Sequence, residues 1–233
     1  MTGAAILETL PIIERRTLGD AAYLHLRELL MSGRVGPGER LSLRSLAGAL
    51  GVSMMPVREA VTRLVADGAL EVAPNRAVRV PVMNVAQFRE IATIRVQIEG
   101  FAAECAAKAA TPAQLEIIAA AEKAFRTEGQ KKKPDFPRAV ALNKDFHFAV
   151  YEASGLPALV EIIGGLWLKV GPIINLDLRE NPERLETGGA VRFHAQAAEA
   201  IARRDGAAAR AAIAGDITGT AAFLLAKGRL AEG

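Results

Sequence analysis

Apolar residues recur at helical spacing in three short stretches near the start of the chain. These stretches lie within residues 20–31, 43–50 and 57–65. Residues three and four positions apart fall on one face of a helix. Each stretch therefore predicts an amphipathic helix that buries one face in a common core.

Glycine and proline residues separate these helices. Residues 36–38 place a proline between two glycines, which predicts a turn after the first helix. Between the second and third helices, Gly51 suits the positive φ of a tight turn, and Ser53 can cap the third helix. Pro56 falls in the first turn of that helix, where a missing N–H costs nothing. Two short helices joined this closely fit a helix-turn-helix.

A small β-hairpin is expected after the third helix. Asp67-Gly68 ends that helix, and apolar residues at 70–72 and 78–80 flank a Pro74-Asn75-Arg76 turn. The first 82 residues are therefore expected to form one domain.

Residues 83–233 show long helical patterns with little strand signal. The predicted helices cover residues 85–110, 112–127, 137–154, 158–177, 182–204 and 206–227. Pro172 falls inside the fourth of them and is expected to kink or end it. The fold class is thus mainly α, with a second, all-α domain.

Composition excludes several classes of protein. The single cysteine, Cys105, excludes an intramolecular disulfide framework and a cysteine-based zinc finger. No uncharged apolar stretch reaches about 18 residues, and the first residues do not resemble a secretory signal. A cytoplasmic location is therefore expected. The net charge of +3 does not by itself indicate a nucleic-acid partner, so any such signal has to be local.

The third helix has a polar outer face. With its apolar stripe turned inward, Arg58, Glu59 and Thr62 project to the other side. Arg58 could pair with guanine in a major groove, and Glu59 could orient Arg58 or accept a hydrogen bond from cytosine. An ordinary three-helix unit with surface charges has the same pattern, so spacing alone leaves both interpretations open.

One continuous motif decides between them. Residues 33–41, 46–47, 50–53, 56–61 and 67–70 form a gap-free pattern that resembles the winged helix-turn-helix of GntR-type bacterial transcription regulators. The resemblance implies a double-stranded operator as partner, with the tip of the hairpin in the minor groove. The implied DNA-contacting positions are Arg44, Ser53, Met54, Arg58, Thr62, Asn75 and Arg76. Met54 replaces a basic residue that is common in the family, and Ala77 replaces a glycine of the wing, which puts the operator sequence in doubt.

Two of the three histidines have polar neighbours at helical spacing. Asn143 and His147 share one helical face, whereas His194 and Asp216 lie on the last two predicted helices. Facing helices of a bundle can bring such groups to one site, and two imidazoles with a carboxylate suit Zn, Ni, Mn or Fe. Ordinary structural positions are the alternative, and His25 is expected to be structural or exposed.

Arg95 falls on the inward face of its predicted helix. A buried guanidinium needs an anionic partner, because burying it alone is costly. That partner is either Glu99 on the next turn or the carboxylate of a small organic acid, bound bidentately. Spacing does not choose between them.

Arg95 with Glu99, residues 143–147 and 151–155, and His194 keep the order and spacing of a second known domain. They resemble the FCD ligand-binding domain of the FadR subfamily of GntR regulators, an antiparallel helical bundle. The resemblance implies metal ligands at Asn143, His147, His194 and Asp216, and effector contacts at Arg95, Asn143, His147 and His194.

The implied metal site is altered. Asp216 stands where the family usually has a third histidine, and Asn143 where an aspartate is frequent. Oxygen ligands keep a site for Zn, Ni or Mn feasible and favour harder metals. A pocket that binds its effector without metal is the alternative.

The sequence therefore predicts a homodimeric, ligand-responsive transcription regulator, a repressor rather than an activator, which senses a small carboxylate metabolite. It is not expected to be an enzyme. The alternatives are a metal-dependent enzyme that acts on an organic acid and an architectural DNA binder without an effector.

Overall fold

A computed structural model describes residues 17–74, 77–180, 189–228 and 230–231. The predicted wing-tip contacts Asn75 and Arg76 lie outside the described residues, as does the predicted start of the fifth bundle helix. The N-terminal elements are α1 (Leu18–Met31), β1 (Arg40–Leu41), α2 (Leu43–Leu50), α3 (Met54–Ala66), β2 (Glu71–Val72) and β3 (Val78–Arg79). The bundle contains α4 (Val85–Ala109), α5 (Pro112–Gly129), α6 (Phe136–Glu152), α7 (Pro157–Glu180), α8 (Ala190–Ala202) and α9 (Gly206–Ala226).

The winged helix-turn-helix has a common core under α1 and α3. Leu26 and Leu30 of α1 are buried with Val57 and Leu64 of α3. These are the positions that helical periodicity predicted. Outside the core, Arg63 of α3 pairs with Asp20 of α1 at 2.7 Å. The packing holds α3 against α1 by its inner face and leaves its outer face exposed.

Two predictions concerned the turn before α3, and the structure supports one of them. Gly51 has a φ of 65°, so the predicted left-handed turn is confirmed. Ser53 occupies the N-cap position of α3, but its side chain makes no capping hydrogen bond. The predicted cap was therefore wrong. The hydroxyl remains exposed at the start of the helix.

The predicted hairpin is part of a three-stranded antiparallel sheet. Its order is β1-β3-β2, with Arg40 opposite Arg79 and Val72 opposite Val78. Strand β1 was not predicted from the sequence, because two residues are too few to show alternation. Backbone hydrogen bonds from Gly38 N to Val80 O and from Val80 N to Glu39 O lead the chain into this added strand.

The bundle is built on alanine contacts. Helices α4 and α9 pack together extensively, and α8 lies against α9, α5 and α4. The faces of α4 and α9 bury a series of small side chains, namely Ala102, Ala103, Ala106, Ala107, Ala209 and Ala212. Small side chains let helix axes approach closely, which brings the polar groups between the helices within bonding distance.

The sequence predicted that Pro172 would either kink or end its helix. Helix α7 does not end at Pro172. It continues to Glu180 with Pro172 inside it. An internal proline removes a helical hydrogen bond at a cost of about 3 kcal/mol. Val170 and Ile173 on either side of Pro172 are buried, and their packing compensates for that cost.

Two bundle segments, Pro157–Asn175 and Gly206–Ala226, are long and apolar enough to cross a membrane by length and composition alone. Both carry charged residues, and both contribute buried side chains to the bundle. The same properties are typical of core helices, so this is weak support for a membrane span.

The winged helix-turn-helix rests on α6 and α7 of the bundle. The Asn175 side chain donates a hydrogen bond to the carbonyl of Met31, at the C-terminal end of α1. Lys144 of α6 pairs with Glu28 of α1. Gly33, with a φ of 65°, lies so close to Asn175 that a Cβ there would meet its backbone carbonyl carbon at 2.9 Å. The first helix of the winged helix-turn-helix is thus tied to two bundle helices.

Candidate functional site

A small cavity opens inside the helical bundle. Its volume is about 40 Å³. Its lining includes Arg95, Phe125, Asn143, His147, Trp167 and Asp216. A buried water molecule needs roughly 10–15 Å³ of cavity volume. The cavity therefore has room for a metal ion and a carboxylate group.

Three ionisable side chains from three helices meet beside this cavity, and two of them, His147 and Asp216, line it. His147 of α6, His194 of α8 and Asp216 of α9 are buried, and their ligand atoms lie within 4.8 Å of one another. His147 Nε2 is 3.2 Å from Asp216 Oδ2 and 3.2 Å from His194 Nε2. His194 Nε2 is 3.7 Å from the same carboxylate oxygen. The structure thus brings together three of the four predicted metal ligands.

Asn143, the fourth predicted ligand, lines the cavity one turn before His147 on α6. An amide oxygen at this position can be turned toward a bound cation or toward a bound organic acid. It is only partly buried, unlike the other three.

The site strongly favours the charged form of Asp216. Burial acts to raise the pKa of this carboxyl, but the neighbouring imidazoles of His147 and His194 outweigh burial and leave the pKa far below its usual value. Burial lowers the pKa of His194, and its neighbour Asp216 only partly opposes that shift. An ionised carboxylate beside a neutral imidazole is a suitable donor set for a divalent cation.

Aromatic side chains hold His194 in place. The Phe146 ring stacks on the imidazole at 4.2 Å between centroids, and Phe125 lies 4.7 Å away. His194 Nδ1 is buried and has no hydrogen-bond partner among the described residues. Because the ring is held by apolar contacts rather than by that nitrogen, Nε2 is the atom directed at His147 and Asp216.

A buried carboxylate organises the other side of the cavity. Glu99 accepts hydrogen bonds from Arg95 Nε at 2.5 Å and from Trp167 Nε1 at 3.2 Å. It also accepts a short hydrogen bond from the Tyr151 hydroxyl. That hydroxyl oxygen lies 2.9 Å from His147 Nδ1. A continuous polar chain therefore runs from Arg95 through Glu99 and Tyr151 to His147.

Of the two partners predicted for Arg95, the structure contains Glu99. The guanidinium is buried, and its Nε and Nη2 both contact that carboxylate. Burial lowers the pKa of Arg95, but Glu99 more than offsets it, so the guanidinium stays charged. Arg95 also borders the cavity, and pairing with Glu99 does not remove it from the reach of a bound anion.

The predicted DNA-contacting residues that the structure describes on α2 and α3 are exposed. Arg44 lies on α2, whereas Met54, Arg58 and Thr62 lie on α3, and all four are exposed. Neither Arg44 nor Arg58 forms an ion pair with another described residue. The Thr62 hydroxyl donates to the Arg58 carbonyl at 2.9 Å and retains acceptor capacity.

Of the two roles expected for Glu59, the structure does not show the first, the orientation of Arg58, and the second, acceptance of a hydrogen bond from cytosine, stays a prediction. Its carboxylate lies against Gly19 at the start of α1, so close that a Cβ on Gly19 would collide with it. The partial positive charge of a helix N-terminus favours a carboxylate there. Glu59 therefore faces α1 in this structure and does not orient Arg58. His25 is exposed on α1, as expected.

Sequence reasoning missed two residues of the site. Trp167 and Phe125 line the cavity, yet each falls in an ordinary apolar stripe of its helix. Nothing in those stripes marks them. The contact between His147 and Tyr151 had a signal, because the two residues are four apart on one helix.

Comparisons with known proteins agree with this architecture. A model of the FCD domain matches residues 90–218, more than half of the chain, and a model of the bacterial regulatory proteins of the gntR family matches residues 18–80. The chain belongs to the GntR family. Both resemblances drawn from the sequence are thereby confirmed, including the FCD domain.

This GntR protein is similar to two curated regulators of Escherichia coli K12. It is 38% identical to the HTH-type transcriptional regulator McbR over 147 residues, or 63% of this chain and 66% of McbR, just under two thirds of that protein. It is 27% identical to the HTH-type transcriptional repressor RspR over 193 residues, or 82% of each chain. Neither relative is described as an enzyme.

The fold of this GntR protein is similar to the solved structure of E. coli McbR/YncC. The two superpose with a TM-score of 0.83 at 31% identity, covering 91% of this chain and 99% of the other. The match spans the winged helix-turn-helix and the bundle together.

Proposed function

We propose that this GntR protein is a cytoplasmic, homodimeric transcription repressor that responds to a small organic acid held at a divalent metal. Residues 1–82 bind operator DNA and residues 83–233 bind the effector and dimerise. The cluster of His147, His194 and Asp216, two of which line a cavity that Arg95 also borders, carries the proposal. The name of the relative RspR, a transcriptional repressor, supports the direction of the response.

The donor set fits a divalent cation such as Zn²⁺, Ni²⁺ or Mn²⁺. Two imidazole nitrogens and a carboxylate oxygen are common ligands of such ions. His147 Nε2 and the Asp216 carboxylate are both lone-pair donors and lie 3.2 Å apart, an arrangement that a cation between them stabilises. His147, His194 and Asp216 would hold the ion, with Asn143 at the edge of the cavity.

The effector would be an anion of few atoms. A bound metal supplies positive charge and open coordination positions for a carboxylate oxygen. Arg95 borders the same cavity and can donate to that carboxylate. The volume of about 40 Å³ restricts the compound to a short organic acid unless the helices move apart.

The recognition surface supports operator binding. Arg58 projects from the N-terminal half of α3, where the second helix of a helix-turn-helix reaches base edges. Arg44 lies on the preceding helix, where it can contact a phosphate. In a dimer, each protomer would read one half-site.

The same helices that line the cavity contact the winged helix-turn-helix. Helix α6 carries His147 and also Lys144, and α7 carries Trp167 and also Asn175. A ligand that binds two arrangements of these helices unequally would change DNA affinity, and DNA would change ligand affinity by the same factor.

Metal content and DNA binding test this function together. Untagged protein should carry about one metal per chain by mass spectrometry, H147A/H194A should carry none, and H25A, the third histidine, should match the wild type. A DNA site selected from a random pool should be released when short carboxylic acids are added to the metal-loaded protein.

The rival functions predict different results. Metal-free protein that also rejects added Zn²⁺, Ni²⁺ and Mn²⁺ would remove the metal from the proposal. DNA affinity unchanged by every carboxylate, and equal in H147A/H194A, would identify an architectural DNA binder. Turnover of a carboxylate by the metal-loaded protein would support the enzyme.

A further inference from the structure

We infer that Tyr151 and Glu99 fix the tautomer of His147, holding its proton on Nδ1 so that the bare Nε2 faces Asp216 and His194. Tyr151 is thereby a positioning residue for the metal site, and this part of the inference rests on the proposed function. The tautomer itself does not, because it exists in the metal-free protein.

The inference starts from the hydrogen-bond capacity of Glu99. Its side chain is fully buried, and both of its oxygens are paired with the guanidinium of Arg95. An ionised carboxylate only accepts hydrogen bonds. Arg95 and Trp167 both donate to it, so the hydroxyl of Tyr151 has to donate as well.

The direction of the hydrogen bond from Tyr151 to Glu99 determines the direction of the hydrogen bond between Tyr151 and His147. A hydroxyl has a single proton, and Tyr151 gives its proton to Glu99. Toward His147 the Tyr151 oxygen can therefore act only as an acceptor. Since His147 Nδ1 lies 2.9 Å from this oxygen, Nδ1 is the nitrogen that carries the proton when the imidazole has only one.

The opposite nitrogen is left with a lone pair. His147 Nε2 lies 3.2 Å from both Asp216 Oδ2 and His194 Nε2. A lone pair and a carboxylate at this separation repel one another unless a cation or a donated proton lies between them. The polar chain from Arg95 thus prepares Nε2 as a ligand before any metal arrives, as partners of metal-bound histidines generally do.

The polar chain from Arg95 to His147 also gives neighbouring residues different roles: some would bind the metal, and others orient a metal ligand. Among the described residues, Arg95 and Glu99 make no hydrogen bond to His147, His194 or Asp216, yet they determine which nitrogen of His147 is available. Of the two tyrosines in the sequence, only Tyr151 touches this network. Tyr23, the other, donates to Asp67 at 2.8 Å in the winged helix-turn-helix and provides a matched control.

The first experiment measures the tautomer directly. Long-range proton–nitrogen NMR spectra of metal-free, ¹⁵N-labelled protein distinguish Nδ1–H from Nε2–H imidazoles. Only three histidines are present, so H25A and H194A suffice to assign them. The Nδ1–H form is expected for His147 in the wild type and in Y23F, and a mixture of both forms in Y151F. An Nε2–H form in the wild type would overturn the inference.

The second experiment measures metal affinity by competition between the protein and a chromogenic chelator for Zn²⁺. Loss of a hydrogen-bond partner of a metal-bound histidine typically costs 10–100-fold in affinity, and Y151F should show about that loss. Y23F should bind Zn²⁺ as the wild type does. Equal affinity in Y151F and the wild type, or an equal loss in Y23F, would contradict the positioning role.

The two experiments separate failure of this inference from failure of the proposed function. Wild-type protein that binds no Zn²⁺ but shows the Nδ1–H tautomer would refute the metal site and retain the network. Wild-type protein that binds Zn²⁺ but shows the Nε2–H tautomer would retain the metal site and refute the network.

Discussion

Lys144 and Glu28 form an ion pair between the bundle and the winged helix-turn-helix, with Lys144 Nζ 2.7 Å and 2.6 Å from the two carboxylate oxygens. Lys144 follows Asn143 in the sequence, so the residue beside a predicted metal ligand is bonded to α1. The pair links α6, the helix that carries Asn143 and His147, directly to α1, which packs against α3.

We expect K144M to reduce the effect of ligand binding on DNA affinity more than it reduces the stability of the fold. The pair is partly exposed, so its loss should lower the unfolding free energy by less than about 1 kcal/mol. The factor by which metal and carboxylate change DNA affinity should fall several-fold. Fluorescence anisotropy with and without ligand measures that factor. K108M removes a comparable exposed pair with Glu104, within α4, and should leave the factor unchanged; an equal effect in both variants would contradict the assignment.

R58A should weaken operator binding by about 1–3 kcal/mol, because a specific arginine contact to a base contributes that much. Titrations at one fixed salt concentration measure the change, since affinity for DNA depends strongly on salt. R203A, at an exposed arginine that pairs with Glu199 in the bundle, is the control. Identical affinity in R58A and R203A would remove Arg58 from the recognition surface.

R95M should lower the unfolding free energy of the metal-free protein by about 3–5 kcal/mol. Removing the guanidinium leaves the Glu99 carboxylate buried without its counter-charge, which is strongly destabilising. Urea denaturation provides the measurement. R203M breaks an arginine–glutamate pair of the same spacing at the surface and should cost less than about 1 kcal/mol. Similar losses in the two variants would show that Arg95 is not needed to neutralise Glu99.

The hydrogen bonds of Glu128 predict that the stability of the folded protein depends on pH. Its carboxylate accepts from Lys131 at 2.7 Å and from the backbone N–H of Asp135 at 2.9 Å, and these bonds lower its pKa below the usual 4.5. A lowered pKa in the folded state stabilises the protein above the unfolded-state value, and the gain is lost as pH falls through the folded-state value. E128Q should therefore lower the melting temperature at pH 7 and approach the wild type in acid.

The control for this pH dependence is E116Q, at an exposed glutamate on the same helix, α5. It should melt close to the wild type at every pH. A difference between E128Q and the wild type that stays constant from pH 7 to pH 3 would contradict the role assigned to Glu128.

G33A should be more destabilising than G51A. Both glycines have a φ of 65°, which costs a non-glycine residue roughly 1–2 kcal/mol. A Cβ on Gly51 meets nothing within 4 Å, whereas a Cβ on Gly33 would collide with Asn175. G33A should also separate α1 from α7. Equal melting temperatures for the two variants would show that the contact with Asn175 relaxes without cost.

Sequence reasoning predicted the elements whose signals are local. Glycine and proline positions gave the turn at Gly51, and apolar periodicity gave the helices of the bundle to within a few residues, except that the fifth was predicted from residue 182, whereas α8 begins at Ala190. It missed β1, because two residues are too few for a period. It also allowed α7 to end at Pro172, because the compensating packing of Val170 and Ile173 comes from helices distant in the sequence.

In the candidate site, too, relationships within one helix could be predicted from the sequence, and contacts between helices could not. Asn143 and His147 could be placed on one face, because they belong to one helix. The approach of His147 to Asp216 depends on how α6 and α9 pack, and family resemblance supplied it where spacing could not. The contact between Lys144 and Glu28 joins residues 116 positions apart, and no periodicity in either helix marks it.

Helix α6 presents His147 to the cavity and Lys144 to the winged helix-turn-helix, so one rigid element serves both surfaces. This arrangement constrains how such a regulator can diversify. Substitutions on α6 alter sensing and response at once and are difficult for selection to tune. Ile217 and Thr220 of α9 also line the cavity, on a helix that does not carry the contacts to α1 described above. New effector preferences should therefore arise first through α9, with the output to DNA preserved.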